Sequence, residues 1–352
     1  MVKIPCFVEV KTTLATKLKI DEIDAKILKI LLLESRTSFT DIAAACKITV
    51  TAVRMRYKRL WKEGVINGEV MLINPHCLGY QHIVDLCITN AIEDDKEVKK
   101  FLETKPYIAG LVGPCGNYNF FGKVAVRNLK KLHDIIEEME ANSCIKHVDA
   151  LIWAKAANIE YPENLIIKPL KENNRQDRKV LINNHQERPI IVLDEIDKKI
   201  AKILSINARI PFKKIATELN VSTKTIIQRY KKLRNNLFTS SSITVGLSKL
   251  GYKAFANLYL KVSNRSKMNE IYAQILEIPN LIVIIRLIGS YDLYCGLVLE
   301  DFEQMFDANT KIRKIAGVES TTVHLTMLPP AWPLNLFPSL IDSEAIAPKY
   351  WA

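Results

Sequence analysis

Ile48-Thr-Val-Thr-Ala-Val-Arg-Met-Arg-Tyr-Lys-Arg-Leu-Trp61 is written as one helix with two unlike faces. Val53, Tyr57 and Leu60 recur at i, i+4 and i+7, the spacing of a single buried stripe. Thr51, Met55, Lys58 and Lys62 point the opposite way, with Arg54 and Arg59 beside them. Thr49 stands where an N-cap hydroxyl belongs. Alone, such a stretch reads equally well as a solvated surface helix. What precedes it tips the balance. Phe39-Thr-Asp-Ile-Ala-Ala-Ala45 is a short helix, and Cys46-Lys47-Ile48 leaves only a few residues for the turn. Two helices joined so tightly cross steeply, and the small Ala43 permits their close approach. This is the helix-turn-helix plan, whose second helix fits the DNA major groove.

The arrangement occurs twice. Asp21-Glu22-Ile23-Asp24 returns 173 positions later as Asp194-Glu195-Ile196-Asp197. At the same offset Ile42-Ala43 returns as Ile215-Ala216, and Arg56-Tyr57-Lys58 as Arg229-Tyr230-Lys231. The stripe Val53, Tyr57, Leu60 is matched by Ile226, Tyr230, Leu233. A repeat this long is a duplicated domain pair, since solenoid units run to about 20–50 residues. The formal charge is +12. Lys17 to Glu63 holds eleven Lys/Arg against six Asp/Glu, and Asp194 to Arg234 eleven against four. These two stretches carry the whole excess, the footprint expected of phosphate contact.

At 352 residues the chain has room for two or more domains with ample cores. It contains no run of about 18 apolar residues, so no membrane-crossing helix is expected. Lys3, Glu9 and Lys11 interrupt the apolar residues of the first sixteen, which excludes a secretory signal and points to a cytoplasmic location. The seven cysteines include no Cys-x-x-Cys pair and read as reduced, buried residues. The six histidines make no metal spacing with each other or with the cysteines, and neither metal nor cofactor is expected.

Taken in order, residues 1–19 are a leader and 20–74 the first helix-turn-helix domain, closed by Gly64-Val65-Ile66 and a short strand over Ile66 to Ile73. Residues 75–157 change texture to β-α-β-β-α-β, the split arrangement that folds as an antiparallel sheet backed by two helices. A polar stretch at 158–190 is a linker. The plan then repeats, with a second helix-turn-helix domain over 191–246 and a second sheet domain over 247–328. Residues 329–352 form a proline-rich tail, expected to lie extended through Trp332 and Phe337. The fold class is α+β, two helix-turn-helix modules each followed by a ferredoxin-like domain.

Ile20-Asp21-Glu22-Ile23-Asp24, the Arg56-Tyr57-Lys58-Arg59-Leu60 helix with Gly64-Val65-Ile66, the connector Leu78-Gly79-Tyr80 and the turn Gly289-Ser290-Tyr291-Asp292 together resemble the Lrp/AsnC (leucine-responsive) family of transcription regulators. The likeness spans nearly all of the chain outside leader, linker and tail. It implies a DNA-binding regulator that dimerises through its sheet domains, which can also bind amino acids. Here the dimer is fused head to tail into an internal pseudo-dimer, open to further self-association.

On that reading Arg54, Arg56 and Arg59, with Arg229, Lys231 and Lys232, hold phosphates, and Lys58 and Lys62 complete the basic face. Thr51, Met55, Lys224 and Gln228 are the candidates for base edges. A small amino-acid-like effector is expected at Gly289, Tyr291 and Asp292. Two departures stand out. Asn236-Leu237-Phe238 replaces the Gly-Val-Ile ending, which leaves the second wing without its glycine, and Asn119 stands where the second copy has Asp292. The alternative reading is a ligand sensor, or an enzyme like the haem-pathway decarboxylases on the same scaffold. That chemistry would draw on His324, with Arg286 as its partner.

Overall fold

The computed structural model describes residues 19–113, 118–154, 165–170 and 188–342. Nearly all of the leader, most of the linker, the end of the tail and most of the turn before Tyr118 fall outside them.

The first module runs α1 (Glu22–Leu33), α2 (Phe39–Cys46), α3 (Val50–Lys62) and β1 (Ile66–Ile73). The first sheet domain follows as β2 (His82–Asn90), α4 (Asp95–Glu103), β3 (Ile108–Val112), β4 (Phe120–Val126), α5 (Leu129–Glu140) and β5 (Ile145–Trp153). The second module is α6 (Glu195–Ile206), α7 (Phe212–Glu218), α8 (Thr223–Asn236) and β6 (Phe238–Val245). The second sheet domain is β7 (Ala254–Val262), α9 (Met268–Leu276), β8 (Leu281–Ile288), β9 (Leu293–Leu299), α10 (Phe302–Arg313) and β10 (Val318–Thr326).

The helix starts are set locally. Asp21 and Asp24 form a reciprocal capping box at α1, Ser38 caps α2, and Thr49 caps α3 by accepting from the Ala52 N–H. Between α2 and α3 Lys47 takes a left-handed conformation, φ 54°, and the Ile48 N–H returns to the Ala43 carbonyl at 3.0 Å. The second copy repeats both features. Asn220 has φ 52°, and the Val221 N–H reaches the Ala216 carbonyl at 3.0 Å.

The absent glycine does not abolish the second wing. β6 forms over its full length, and Leu237, at the place of Val65, is wholly buried as that residue is. The path from the start of α8 to β6 is one residue shorter than that from α3 to β1, and Leu237 joins them in ordinary right-handed backbone.

The chain divides into two compact units. One unit contains both sheet domains, over Tyr80–Leu165 and Gly251–Pro330. Each contributes four antiparallel strands, in the orders β5-β2-β4-β3 and β10-β7-β9-β8. The two halves join where β5 meets β8, at Ile152–Ile288 and Trp153–Leu287, giving one eight-stranded sheet. Gly289 lies beside this junction. Its φ is 147°, and a Cβ there would stand 2.8 Å from the Ala150 carbonyl oxygen, so only glycine fits. Each half has its own helix-on-sheet core. Val98, Leu102, Ile135 and Met139 bury against Val84, Leu86 and Val124, and Ile271, Ile275 and Ile312 against Leu258, Leu260 and Cys295.

The other unit contains both helix-turn-helix modules, with the described parts of the linker and tail. Its centre is a two-stranded antiparallel ribbon of β1 and β6. Glu69 pairs with Ile243 and Val70 with Ser242. Met71 pairs with Ser241, and at the 172-position offset between β1 and β6 this pair exchanges with Glu69–Ile243 while Val70–Ser242 maps onto itself, so a two-fold axis passes through the Val70–Ser242 pair. α1 packs on β6 and α6 on β1, each module covering the strand of the other. The tail joins here too. Trp332 exchanges both backbone hydrogen bonds with Val245, and Trp332 and Phe337 are buried.

Candidate nucleic-acid interface

α3 and α8 each bury one stripe and leave the same positions outside. Val53 and Leu60 are buried in α3, Ile226 and Leu233 in α8. Thr51, Arg54, Met55, Lys58, Arg59 and Lys62 are exposed, and so are Lys224, Ile227, Gln228, Lys231, Lys232 and Asn235 at the equivalent places. Met55 has 69% of its surface open.

The cations of these helices divide into two groups. Arg56 reaches inward to Asp21 at 2.6 Å and Asp24 at 2.8 Å, with its side chain only 27% exposed. Arg59 also pairs with Asp24, whose carboxylate is completely buried. In the second copy Arg229 meets Asp194 at 2.5 Å and Asp197 at 2.8 Å, and Lys232 meets Asp197 at 2.7 Å. The hydrogen bond from Arg229, ahead of the Asp197 N–H, holds the Asp194 carboxyl below its usual range against the opposing effect of desolvation. These four cations tie α3 to the N-terminus of α1 and α8 to the N-terminus of α6. Arg54, Lys58, Lys62, Lys224 and Lys231 extend from the outer face. Sequence reasoning missed the tie, although its signal was present, since the aspartates and the arginine recur together in both copies.

Reasoning from the sequence also missed Arg36 and Arg209, which stand 173 positions apart. Each crosses the two-fold axis to the other module. The Arg36 guanidinium lies 4.3 Å from the Phe212 ring centre and 5.3 Å from that of Tyr230. Arg209 lies 4.7 Å from Phe39 and 5.6 Å from Tyr57. Arg36 donates to the Ala208 and Ile210 carbonyls, Arg209 to those of Ser35 and Thr37. The exchange fixes α3 and α8 relative to one another. Glu69, next to the axis, accepts from the Tyr57 hydroxyl and lies 3.5 Å from Arg209 Nε. Burial pushes its carboxyl up, and the Tyr57 phenol likewise.

The expected effector residues are engaged within the fold. Asp292 is buried. It accepts from the Val262 N–H at 2.9 Å and pairs with Arg265 at 2.8 Å, while the Tyr291 hydroxyl meets Thr322 at 3.4 Å. Asn119 accepts from the Asn90 N–H at 3.0 Å, and the Tyr118 hydroxyl donates to Asp149 at 2.7 Å. These are equivalent positions, so acid and amide do the same capping of a strand end. His324 and Arg286 do not meet. His324 is buried 5.7 Å from the Tyr259 ring, and burial lowers its pKa. Arg286 donates to Asn269 at 2.6 Å and faces the Tyr272 ring. Among the described residues no group of His, Cys, Asp and Glu is arranged to hold a metal.

Comparison with known proteins agrees with this geometry. Residues 193–234 match the AsnC-type helix-turn-helix domain, and residues 20–67 the winged helix-turn-helix DNA-binding domain. An uncharacterized HTH-type transcriptional regulator of Pyrococcus horikoshii is 32% identical over 39% of this chain and 87% of its own. HTH-type transcriptional regulator LrpA of the same organism is 36% identical over 33% of this chain and 83% of its own. Among solved structures, siroheme decarboxylase NirDL superposes with a TM-score of 0.62, covering 91% of this chain and 97% of that one at 16% identity, a likeness of fold. Two helix-turn-helix modules, and relatives matched over most of their own length, place the chain in the Lrp/AsnC family of helix-turn-helix transcription regulators.

Proposed function

We propose that the chain is a sequence-specific regulator that binds double-stranded DNA, its two modules acting as an internal dimer. The observation that carries this reading is the pair of recognition helices, related by a two-fold axis and carrying basic, exposed outer faces. Phosphates are held by Arg54, Lys58, Lys62 and Lys231. Arg59 and Lys232, more than two-fifths exposed, reach phosphate while anchored to Asp24 and Asp197. Arg56 and Arg229 contribute chiefly by fixing the helix. Thr51, Met55, Lys224 and Gln228 face base edges. Binding to a duplex pool should weaken steeply with salt, because each phosphate contact releases counterions. Roughly 6–10 contacts at a slope of about −0.9 each is the expectation. A flat response of affinity to salt, or no binding at low salt, would remove the reading.

An amino-acid-like effector at Gly289, Tyr291 and Asp292 is part of the proposal. Its ammonium would take the place of Arg265, whose side chain is 76% exposed. Calorimetry with Asp292→Asn tests it, with binding expected to vanish.

The likeness to NirDL favours a second reading, as an enzyme. That chemistry needs a histidine and an arginine converging on one substrate. His324 and Arg286 lie on β10 and β8, three strand spacings or about 14 Å apart. We therefore read the chain as non-enzymatic. Titration with an iron tetrapyrrole should leave its absorption spectrum unchanged, and a saturable one-to-one spectral shift would restore the enzyme.

A further inference from the structure

The ribbon and the exchanged arginines relate α3 and α8 by a two-fold axis, yet the residues on their outer faces differ. At equivalent places Thr51 corresponds to Lys224, Arg54 to Ile227, Met55 to Gln228 and Lys62 to Asn235. All eight are exposed, so none of the differences repacks a core. Lys58 and Lys231 are the same, as are Arg56 and Arg229, and the buried stripe differs only in Val53 for Ile226. Divergence thus includes the surface a duplex would meet, while the frame of ribbon and exchanged arginines that positions that surface is kept in both copies.

We propose that the chain reads an asymmetric DNA site of two unlike half-sites and binds it in a single orientation. This deepens the DNA-binding reading and rests on it. A symmetric pair of readers favours a palindrome because both halves ask for the same bases. Here the α3 half offers the Met55 side chain and the Thr51 methyl, which suit thymine methyl groups in the major groove. The α8 half offers Gln228, which pairs bidentately with adenine N6 and N7, and Lys224, which suits guanine O6 and N7. The frame keeps the half-sites in step, with centres about one helical turn or a multiple of it apart. Loss of Arg54 at Ile227 and of Lys62 at Asn235 leaves the α8 half with fewer phosphate contacts. Sequence in that half then carries more of the discrimination.

The test is selection from a random duplex pool by the intact protein and two reciprocal variants. The wild type should recover two unlike half-sites. Thr51→Lys with Met55→Gln, which gives α3 the base-reading residues of α8, should recover a palindrome of the α8 half-site. Lys224→Thr with Gln228→Met should recover a palindrome of the α3 half-site. In competition, a duplex carrying either half-site twice should bind the wild type about 5- to 100-fold more weakly than the asymmetric site. A palindrome from the wild type, or an unchanged motif from whichever variant retains its thermal unfolding transition, overturns the proposal. Salt-dependent binding that enriches no motif overturns it too while leaving non-specific DNA binding intact. Absence of binding to any duplex at low salt instead removes the underlying DNA-binding reading.

Discussion

Asp24 receives a backbone N–H, Arg56 and Arg59 while having no contact with solvent. A carboxylate this buried is tolerated because its cations and hydrogen bonds replace water, and neutralising it leaves both arginines without their partner. Asp24→Asn should therefore destabilise the first module by about 3 kcal/mol, as should Asp197→Asn in the second. Glu22→Gln, on the exposed side of the same helix turn, should change stability by less than about 0.5 kcal/mol. Chemical denaturation followed by circular dichroism measures all three. Asp194 adds a pH dependence. Its folded pKa is depressed by Arg229, so its contribution is fully present above the unfolded value near 3.8 and is lost as pH falls through the lower folded value. In Arg229→Ala the melting temperature should fall less steeply below about pH 4.

The ribbon is the element that turns two modules into one reader. Where β6 ends, Gly246 passes so close to the first module that a Cβ would stand 2.9 Å from the Gly64 carbonyl oxygen. Backbone cannot yield there as a side-chain tip can, so Gly246→Ala should loosen the ribbon by about 1–3 kcal/mol, read as faster amide exchange along β1 and β6. Elements of this kind were legible in the sequence to within a residue or two. Apolar periodicity marked α3 and α8, and the first sheet domain was read as the order β-α-β-β-α-β. Thr49 marked the start of α3. The pairings across the axis were not legible. Arg36 looks like any surface arginine until Phe212 and Tyr230 are brought beneath it, and Met71 gives no sign that its strand partner is Ser241. Such contacts join residues about 170 apart, and neither propensity nor spacing encodes them. The candidate reading face was legible as a face, because burial of Val53 and Leu60 dictates what points away. The inward turn of Arg56 was hidden, since a helical wheel cannot distinguish a cation bound for phosphate from one bound for a neighbouring helix.

At the scale of the molecule, duplication makes dimerisation an event within one chain. Pairing of the two modules has no second-order step, so their shared unfolding transition should keep the same midpoint over a hundredfold dilution, whereas a dimer of separate chains would lose stability as it is diluted. Differential scanning fluorimetry across that range is the check, and a midpoint that falls with dilution would mean that module pairing needs a second chain. The two-fold frame also has a genetic consequence. In a homodimer every codon is expressed on both sides of the axis, so any change in a reading residue must suit both halves of the operator at once. In this chain Met55 and Gln228 are separate codons. On the proposed asymmetric site, a mutation in one half of a promoter can be followed by a single compensating substitution in the regulator while its grip on the other half stays as it was.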